Sequence, residues 1–107
     1  MYEILIVGGG PAGLTAAIYA ARAGKHVAVL ERGSTGGQII SAPLVENYPG
    51  IPSVSGTELA RQMTEQACTF GAEIVYTEAV GLEKTPAGFR VLCTDGVREA
   101  KTVILAT

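Results

Sequence analysis

The chain is poor in the residue types that mark metal and disulfide chemistry. Its 107 residues include one histidine and two cysteines, and there is no tryptophan. The cysteines, Cys68 and Cys93, form neither a C-x-x-C pair nor a spacing typical of metal ligands. We therefore expect no metal site, and we expect both cysteines to be small buried apolar residues, one in a helix and one in a strand.

The sequence also lacks an excess of positive charge and a long apolar run. Eight Lys and Arg residues against ten Asp and Glu give a formal net charge of −2. Such a chain has no basic stripe to neutralise a phosphate backbone, which argues against nucleic acid as a partner. No apolar segment approaches the roughly 20 residues that span a bilayer, and the first residues lack the basic segment of a secretory signal. We expect a cytoplasmic protein that does not insert into membranes.

Glycine is abundant, with 14 residues, and three of them open an informative pattern. An apolar run predicts a strand over residues 2–7, and a G-x-G-x-x-G turn made by Gly8, Gly10 and Gly13 follows it. An alanine-rich helix is predicted over 12–23, and a second strand over 26–31 ends in Glu31. Strand, glycine turn, helix, strand and acid in this order predict a dinucleotide site.

Each part of this pattern has a physical function. Gly8 permits the tight turn, Gly10 lets a pyrophosphate approach the backbone, and Gly13 lets the helix pack closely on the strand. The helix N-terminus favours phosphate, and Pro11 lacks only a donor that would be unpaired there. Glu31 is placed to accept hydrogen bonds from ribose hydroxyls and to repel a 2′-phosphate, which disfavours NADP. The alternative is a glycine-rich turn that binds nothing.

The next segment predicts a long loop and a second helix. Residues 32–55 are rich in Gly, Ser and Pro, and a loop of this length in a compact domain is usually functional. Ser55 and Glu58 form a capping box that begins a helix, and Gly71 ends it. The buried face of this helix is predicted to consist of Leu59, Met63, Gln66 or Ala67, and Phe70.

Four short strands complete the prediction, at 73–76, 79–84, 88–94 and 102–106. Turns are predicted at 86–88 and at Asp95-Gly96, which is a signal for a two-residue hairpin. The last strand is expected to return to the parallel sheet. The fold class is therefore α/β and Rossmann-like, a βαβ unit with a parallel sheet plus a small antiparallel β-meander.

The long loop makes the prediction more specific. It contains Gly36-Gly37-Gln38-Ile39 and then Val45-Glu46-Asn47-Tyr48-Pro49-Gly50. Taken alone, the first motif could equally be an ordinary turn, and Asn47 a turn residue that bonds its own backbone. Together with Glu31 and the closing Ile104-Leu105-Ala106-Thr107, these motifs resemble the thioredoxin reductase family of low-molecular-weight flavoproteins, and the resemblance runs along essentially the whole chain.

The resemblance implies FAD as the cofactor and assigns positions to its parts. Glu31 would hold the adenosine ribose, Gly37 and Gln38 would approach the ribityl–flavin end, and Asn47 would contact the flavin region. Backbone groups of Ala79 or Val80 would touch the adenine, and Ala106 and Thr107 would lie near the cofactor. The pyrophosphate would be held by Gly8, Gly10, Pro11, Ala12 and Gly13. The residues expected to complete the cofactor site are Arg32, Gly36 and Ile39. We assign no catalytic residue.

The resemblance also implies a larger enzyme. Residues 1–107 would be the N-terminal portion of an incomplete FAD-binding domain, and the domain with the NADPH site and the C-x-x-C pair is absent from the chain. The full enzyme would pass electrons from NADPH through FAD to a disulfide of a thioredoxin-like protein, as a homodimer. The alternatives are another flavin reductase, of the ferredoxin–NADP reductase type, and a non-catalytic dinucleotide-binding module. We expect this segment alone to be poorly stable or to self-associate.

Overall fold

A computed structural model describes all residues from Met1 to Thr107. It contains a single six-stranded sheet in the order β3-β2-β1-β6-β5-β4, with two α-helices and a short 3₁₀ helix. The strands are β1 (Tyr2–Val7), β2 (Val27–Glu31), β3 (Glu73–Tyr76), β4 (Ala79–Thr85), β5 (Gly88–Cys93) and β6 (Gly96–Leu105). The helices are α1 (Pro11–Arg22), the 3₁₀ helix (Gly37–Ser41) and α2 (Gly56–Thr69).

One half of the sheet is parallel, as the βαβ pattern predicts. Strand β1 pairs with β2 from Ile4 opposite Val27 onward, and β2 pairs with β3. On one face of these strands α1 and α2 cover a buried cluster that includes Ile6, Leu14 and Val29. Small residues of α1 such as Ala17 are fully buried, because close packing of this helix leaves no room for larger side chains.

The other half of the sheet is an antiparallel meander. Strands β4, β5 and β6 pair in sequence order, and β6 then continues beside β1 in parallel, from Tyr2 opposite Ala100 to Val7 opposite Leu105. The face opposite the helices is filled by a second buried cluster, to which β1, β2, β5 and β6 contribute Leu5, Ala28, Leu30, Val91, Cys93 and Ala100. The predicted meander and the return of the last strand to the parallel sheet are both confirmed.

The structure corrects several local predictions. Strand β6 begins at Gly96 rather than at 102, and the hairpin turn consists of Thr94 and Asp95, because Cys93 pairs directly with Gly96. The segment predicted as a loop contains the 3₁₀ helix. A small excursion of the loop follows, residues 45–54, and an antiparallel β-bridge between Val45 and Val54 joins its two ends.

The buried face of α2 is narrower than predicted. Leu59, Met63 and Ala67 are buried, whereas Phe70 is exposed at the C-cap, with Arg22 stacked 5.6 Å from its ring centre. Cys68 is exposed, contrary to expectation, because it projects from the outer side of α2; Cys93 is buried as predicted. Neither α-helix is long and apolar enough to cross a membrane.

Candidate functional site: a cleft at the carboxyl edge of the sheet

A cleft of about 840 Å³ lies where β1, β2 and β6 end and α1 begins. Strand β1 leads to β2 on one side and is joined by β6 on the other, so this edge is the point at which the strand order changes direction. Open α/β sheets bind ligands at that point. The lining residues are Val7, Gly8, Gly9, Gly10, Pro11, Ala12, Leu30, Glu31, Arg32, Gly37, Gln38, Ile39, Thr77, Glu78, Ala79, Ala106 and Thr107.

Two glycines of the first turn are required by the protein itself. Gly8 has φ +111°, and a Cβ there would lie 2.4 Å from the carbonyl oxygen of Ala106. A Cβ on Gly13 would lie 1.9 Å from the carbonyl oxygen of Gly8, so only glycine lets α1 approach the turn this closely. The predicted conformational and packing roles of Gly8 and Gly13 are thus confirmed, and Gly13 does not line the cleft.

Gly10 differs from these two glycines. Its φ of −78° is open to any residue, and a Cβ there would meet only the Cα of Gly37, at 3.9 Å. Neither backbone conformation nor packing against the protein therefore requires glycine at this position. Both Gly10 and Gly37 line the cleft, so a side chain at position 10 would occupy cleft space.

The N-terminus of α1 offers unpaired donors to the cleft. Gly10 is the N-cap and has no side chain to cap the helix, and the first helical bond runs from Leu14 N to Gly10 O. The N–H groups of Ala12 and Gly13 precede that bond and have no partner within the helix. No acidic residue lies in the first turn of α1, so no side chain of the helix itself neutralises the positive end of its dipole. This arrangement suits an anion.

The Glu31 carboxylate is fixed beside the glycine turn. Its Oε1 accepts a hydrogen bond from Gly9 N at 2.9 Å, and its Oε2 accepts one from Gly33 N at 2.7 Å. Each carboxylate oxygen can accept a further hydrogen bond. An orientation fixed by two backbone donors, with acceptor capacity left, fits a ligand that carries neighbouring hydroxyl groups.

The loop that carries Gly37 is attached to the glycine turn. Gly36 N donates a hydrogen bond to Gly9 O at 2.7 Å, which brings Gly37, Gln38 and Ile39 to the cleft. Gly36 itself is buried against α2, because a Cβ there would lie 2.4 Å from the Cβ of Ala60. It supports the loop and does not line the cleft.

One wall of the cleft is formed by the residues that follow β3. Thr77, Glu78 and Ala79 line the cleft next to Glu31, and Thr77 N donates a hydrogen bond to Glu31 O at 3.0 Å. Glu78 Oε2 lies 3.9 Å from Nη1 of Arg32, and this exposed ion pair stands at the edge of the cleft. The wall therefore combines one buried hydroxyl with a cation and an anion.

Most of the predicted site residues come together in this cleft, and four do not line it. Gly13 and Gly36 serve packing, Val80 is 61 % exposed beside the cleft, and Asn47 lies on the exposed excursion of the loop. The residues that sequence reasoning missed are Val7, Gly9, Leu30, Thr77 and Glu78. Thr77 and Glu78 could have been predicted from the sequence, because they follow a parallel strand and must reach the same edge of the sheet as Glu31.

Comparison with known proteins agrees with this geometry. The family model described as pyridine nucleotide-disulphide oxidoreductase matches residues 2–107. The thioredoxin reductase of Treponema pallidum is 43% identical over 107 residues, covering 99% of this chain and 35% of the relative. That of Aquifex aeolicus is 44% identical over 110 residues, covering 100% of this chain and 34% of the relative.

Solved structures give the same result. The crystal structure of thioredoxin reductase from Streptococcus pyogenes superposes with a TM-score of 0.96 at 47% identity, over 100% of this chain and 35% of that one. The predicted resemblance is confirmed along the whole chain. The chain spans about a third of the length of the curated relatives it matches.

Proposed function

Because the chain belongs to the pyridine nucleotide-disulphide oxidoreductase family, we propose that it is the FAD-binding part of a longer enzyme similar to thioredoxin reductase. The family relationship implies a flavin cofactor, and FAD is the flavin that also carries a pyrophosphate and an adenosine. The cleft offers matching features for those two groups, namely a helix N-terminus and a fixed carboxylate.

The observation that carries the proposal is the glycine at position 10. The protein does not need glycine there, since the backbone is extended and a Cβ would meet no protein atom closer than 3.9 Å. A ligand that passes between Gly10 and Gly37 accounts for the absence of a side chain. The unpaired N–H groups of Ala12 and Gly13 favour a pyrophosphate as the passing group.

The remaining lining residues have separate binding roles. Glu31 accepts hydrogen bonds from the hydroxyls of the adenosine ribose, and its charge disfavours a 2′-phosphate. The adenine lies beyond the ribose, toward Arg32 and Ala79. On the other side of the pyrophosphate, the Gln38 amide offers a donor and an acceptor to the flavin end. Ala106 and Thr107 close the cleft beside Gly8.

When bound, FAD supplies the electron-transfer chemistry, and the protein supplies position and electrostatics. The residues of this chain bind and orient the cofactor, and we assign none of them a catalytic role. The whole enzyme would take electrons from NADPH and deliver them to a disulfide of a thioredoxin-like partner. We further propose that it is cytoplasmic and works as a homodimer, with the NADPH site and the redox cysteines outside residues 1–107.

Titration of the purified chain with FAD tests the proposal. We expect oxidised-flavin absorption to remain with the protein after gel filtration, and flavin fluorescence to change on binding. Substitution Gly10→Val should weaken FAD binding about tenfold or more, because a side chain overfills the site. Its unfolding midpoint should stay close to that of the wild type, since the new side chain meets little protein.

A matched control introduces valine into the same helix outside the cleft. Thr15 is exposed, and its hydroxyl bonds only to the Pro11 carbonyl within the helix, so Thr15→Val should leave FAD affinity unchanged. The proposal is wrong if the wild-type chain retains no FAD, or if Gly10→Val binds FAD as tightly as Thr15→Val does.

A further inference from the structure

Thr77 is the one buried polar side chain of the molecule, with 7 % of its surface exposed. It follows β3 and lines the cleft beside Glu78 and Ala79. Polar side chains are buried at a cost unless they are hydrogen-bonded, so a buried threonine at the rim of a cleft calls for a physical reason.

The hydrogen bonds of Thr77 join two parts of the fold. Its hydroxyl donates to Oδ1 of Asp95 at 2.6 Å, and its backbone N–H donates to Glu31 O at 3.0 Å. Asp95 lies in the turn between β5 and β6, whereas Glu31 ends β2. Thr77 thus connects the meander to the strand that carries the carboxylate of the cleft.

Asp95 is itself held in place. Arg98 donates to both of its carboxylate oxygens, from Nη1 to Oδ1 at 2.8 Å and from Nη2 to Oδ2 at 3.2 Å. The hydrogen bonds from Arg98, and then from Thr77, hold the pKa of the Asp95 carboxyl well below its usual range. The carboxylate is therefore ionised at neutral pH and can only accept hydrogen bonds.

The same turn makes a second bond to the cleft wall. Thr94 N donates to Glu78 O at 2.9 Å, so Thr77 and Glu78 are both attached to the turn of residues 94 and 95. Because the Thr77 hydroxyl gives its proton to Asp95, it can only accept a hydrogen bond from a ligand. The wall is fixed in position, and the direction of its one buried hydroxyl is fixed as well.

We propose that Asp95, oriented by Arg98, is a positioning residue that acts through Thr77 on the nucleoside end of the cofactor cleft. This inference rests on the proposed dinucleotide site and adds to it a role for the meander. The β5–β6 turn holds residues 77–79 against Glu31, and Thr77 presents an acceptor to the bound nucleoside.

The experiment compares Thr77→Val with Thr77→Ser in the full 107-residue chain, with FAD and ADP as separate probes. Valine keeps the shape of threonine but removes the hydroxyl, and serine keeps the hydroxyl. We expect Thr77→Val to bind both probes about three- to tenfold more weakly, the factor that loss of one hydrogen bond produces. Thr77→Ser should restore wild-type affinity.

Asp95→Asn provides an independent variant, because an amide cannot accept from Arg98 with both of its atoms. It should weaken FAD and ADP binding in the same way. In the ligand-free chain, both Thr77→Val and Asp95→Asn should accelerate hydrogen exchange at the Thr94 amide, which bonds to Glu78 O. This readout needs no cofactor and reports the position of the wall directly.

Glu83→Gln is the matched control. Glu83 also pairs with an arginine of the meander, since Nη1 of Arg90 lies 3.4 Å from its Oε1, but it does not line the cleft. Equal losses in Glu83→Gln and Asp95→Asn would overturn the inference, and so would unchanged affinity in Thr77→Val. If the wild-type chain bound neither FAD nor ADP, the proposed function would fall too, whereas wild-type binding with a tolerant Thr77→Val refutes only this inference.

Discussion

Glu31 combines a structural and a binding task in one side chain. Its two oxygens accept from Gly9 N and Gly33 N, so the carboxylate fixes the glycine turn and the start of the following loop. The same oxygens are proposed to hold the ribose. A substitution there should therefore act on folding even in the absence of a ligand.

Substitution Glu31→Ala should lower the free energy of unfolding by about 1–3 kcal/mol, because the partly buried Gly9 N–H and the exposed Gly33 N–H both lose their acceptor. Urea denaturation of the ligand-free chain measures this. Glu3→Ala serves as a comparison, since Glu3 accepts only the exposed His26 N–H, and its loss should be smaller. Equal losses in the two variants would show that the Glu31 carboxylate does not fix the turn.

A substitution at Gly13 should damage the fold itself. A Cβ at this position would lie 1.9 Å from the carbonyl oxygen of Gly8, so α1 and the turn that follows β1 would have to move apart. Gly13→Ala should cost about 3 kcal/mol or more of stability, as severe overpacking does. Circular dichroism during thermal unfolding should show a much lower midpoint than for Gly10→Ala, which adds the same atom at an open position.

For single residues, the sequence predicted those roles that depend on local geometry. The spacing of Gly8, Gly10 and Gly13 follows from the geometry of one turn and one helix, so their roles could be predicted from the residues alone. Gly36 was predicted only as a ligand contact, and that stays a prediction; its packing against Ala60, 24 residues away in sequence, is a contact that no local pattern reveals. Cys68 and Phe70 were assigned to the core by composition and period, yet both are exposed, Phe70 at the C-cap of α2 beside Arg22.

Helix α2 begins with a side-chain cap. Ser55 is its N-cap, and the Ser55 side chain accepts a hydrogen bond from Glu58 N at 3.1 Å, as the capping box predicted. The reciprocal half of the box is replaced, because the Glu58 carboxylate instead accepts two hydrogen bonds from Arg61. The charged side chain serves the exposed face of the helix rather than its N-terminus.

Removal of the cap should be measurable. Ser55→Ala should lower the free energy of unfolding by about 1 kcal/mol, the usual contribution of a capping side chain, whereas Ser55→Asp should retain most of it. Chemical denaturation of the three proteins in parallel tests this. A loss in Ser55→Asp as large as in Ser55→Ala would mean that packing of Gly56 on the 3₁₀ helix, and not the cap, holds this helix end.

The Glu58–Arg61 pair predicts an acid-dependent term in the stability of α2. Hydrogen bonds from Arg61, and then from Gln62, lower the pKa of the Glu58 carboxyl from 4.5 to about 2. A group whose pKa is lower in the folded state stabilises the fold above its ordinary pKa and loses that contribution as pH falls toward the folded value. The urea midpoint of the wild type should therefore decline between about pH 4.5 and pH 2.

Arg61→Met is the informative variant for this pH dependence. Without the guanidinium, the Glu58 pKa should return toward its ordinary value, and the decline of the urea midpoint over the same pH range should become shallower. The Asp95–Arg98 pair remains in this variant and keeps its own contribution. Identical pH profiles for wild type and Arg61→Met would contradict the prediction.

Some strands could be predicted from the sequence over their full length and others only in part. Strands β1 and β2 each contain a run of four apolar residues, 4–7 and 27–30, because a buried cluster lies on each face of the sheet there, and their positions were predicted almost to the residue. Strand β6 was predicted only at 102–106, because Arg98, Glu99 and Lys101 interrupt the apolar pattern in its first half. That half pairs with β5 in the meander, where Glu99 and Lys101 are exposed and Arg98 is half-buried against Asp95.

At the scale of the whole molecule, the sheet has two exposed outer strands. Strand β3 forms one edge and β4 the other, and apolar side chains at or near these edges are exposed, with Tyr76 at 62 %, Val80 at 61 % and Leu82 at 47 %. Unpaired edge strands with apolar side chains promote association.

We predict that the isolated chain self-associates as its concentration rises. Sedimentation velocity over a hundredfold range of concentration measures this. The double variant Val80→Lys and Leu82→Lys should raise the monomer fraction, because charged residues on an edge strand oppose pairing with another chain. A wild-type chain that stays a monodisperse monomer over the whole concentration range would refute the prediction.

The position of β6 in the sheet affects how this fold can form during translation. It lies between β1 and β5, so the first strand to be synthesised waits for its neighbour until residue 105 has been made. At about 5–20 residues per second, the edge of β1 stays uncovered on the nascent chain for roughly 5–20 seconds. The centre of the sheet, and with it the floor of the cleft, closes only after β2 to β5 have all been made.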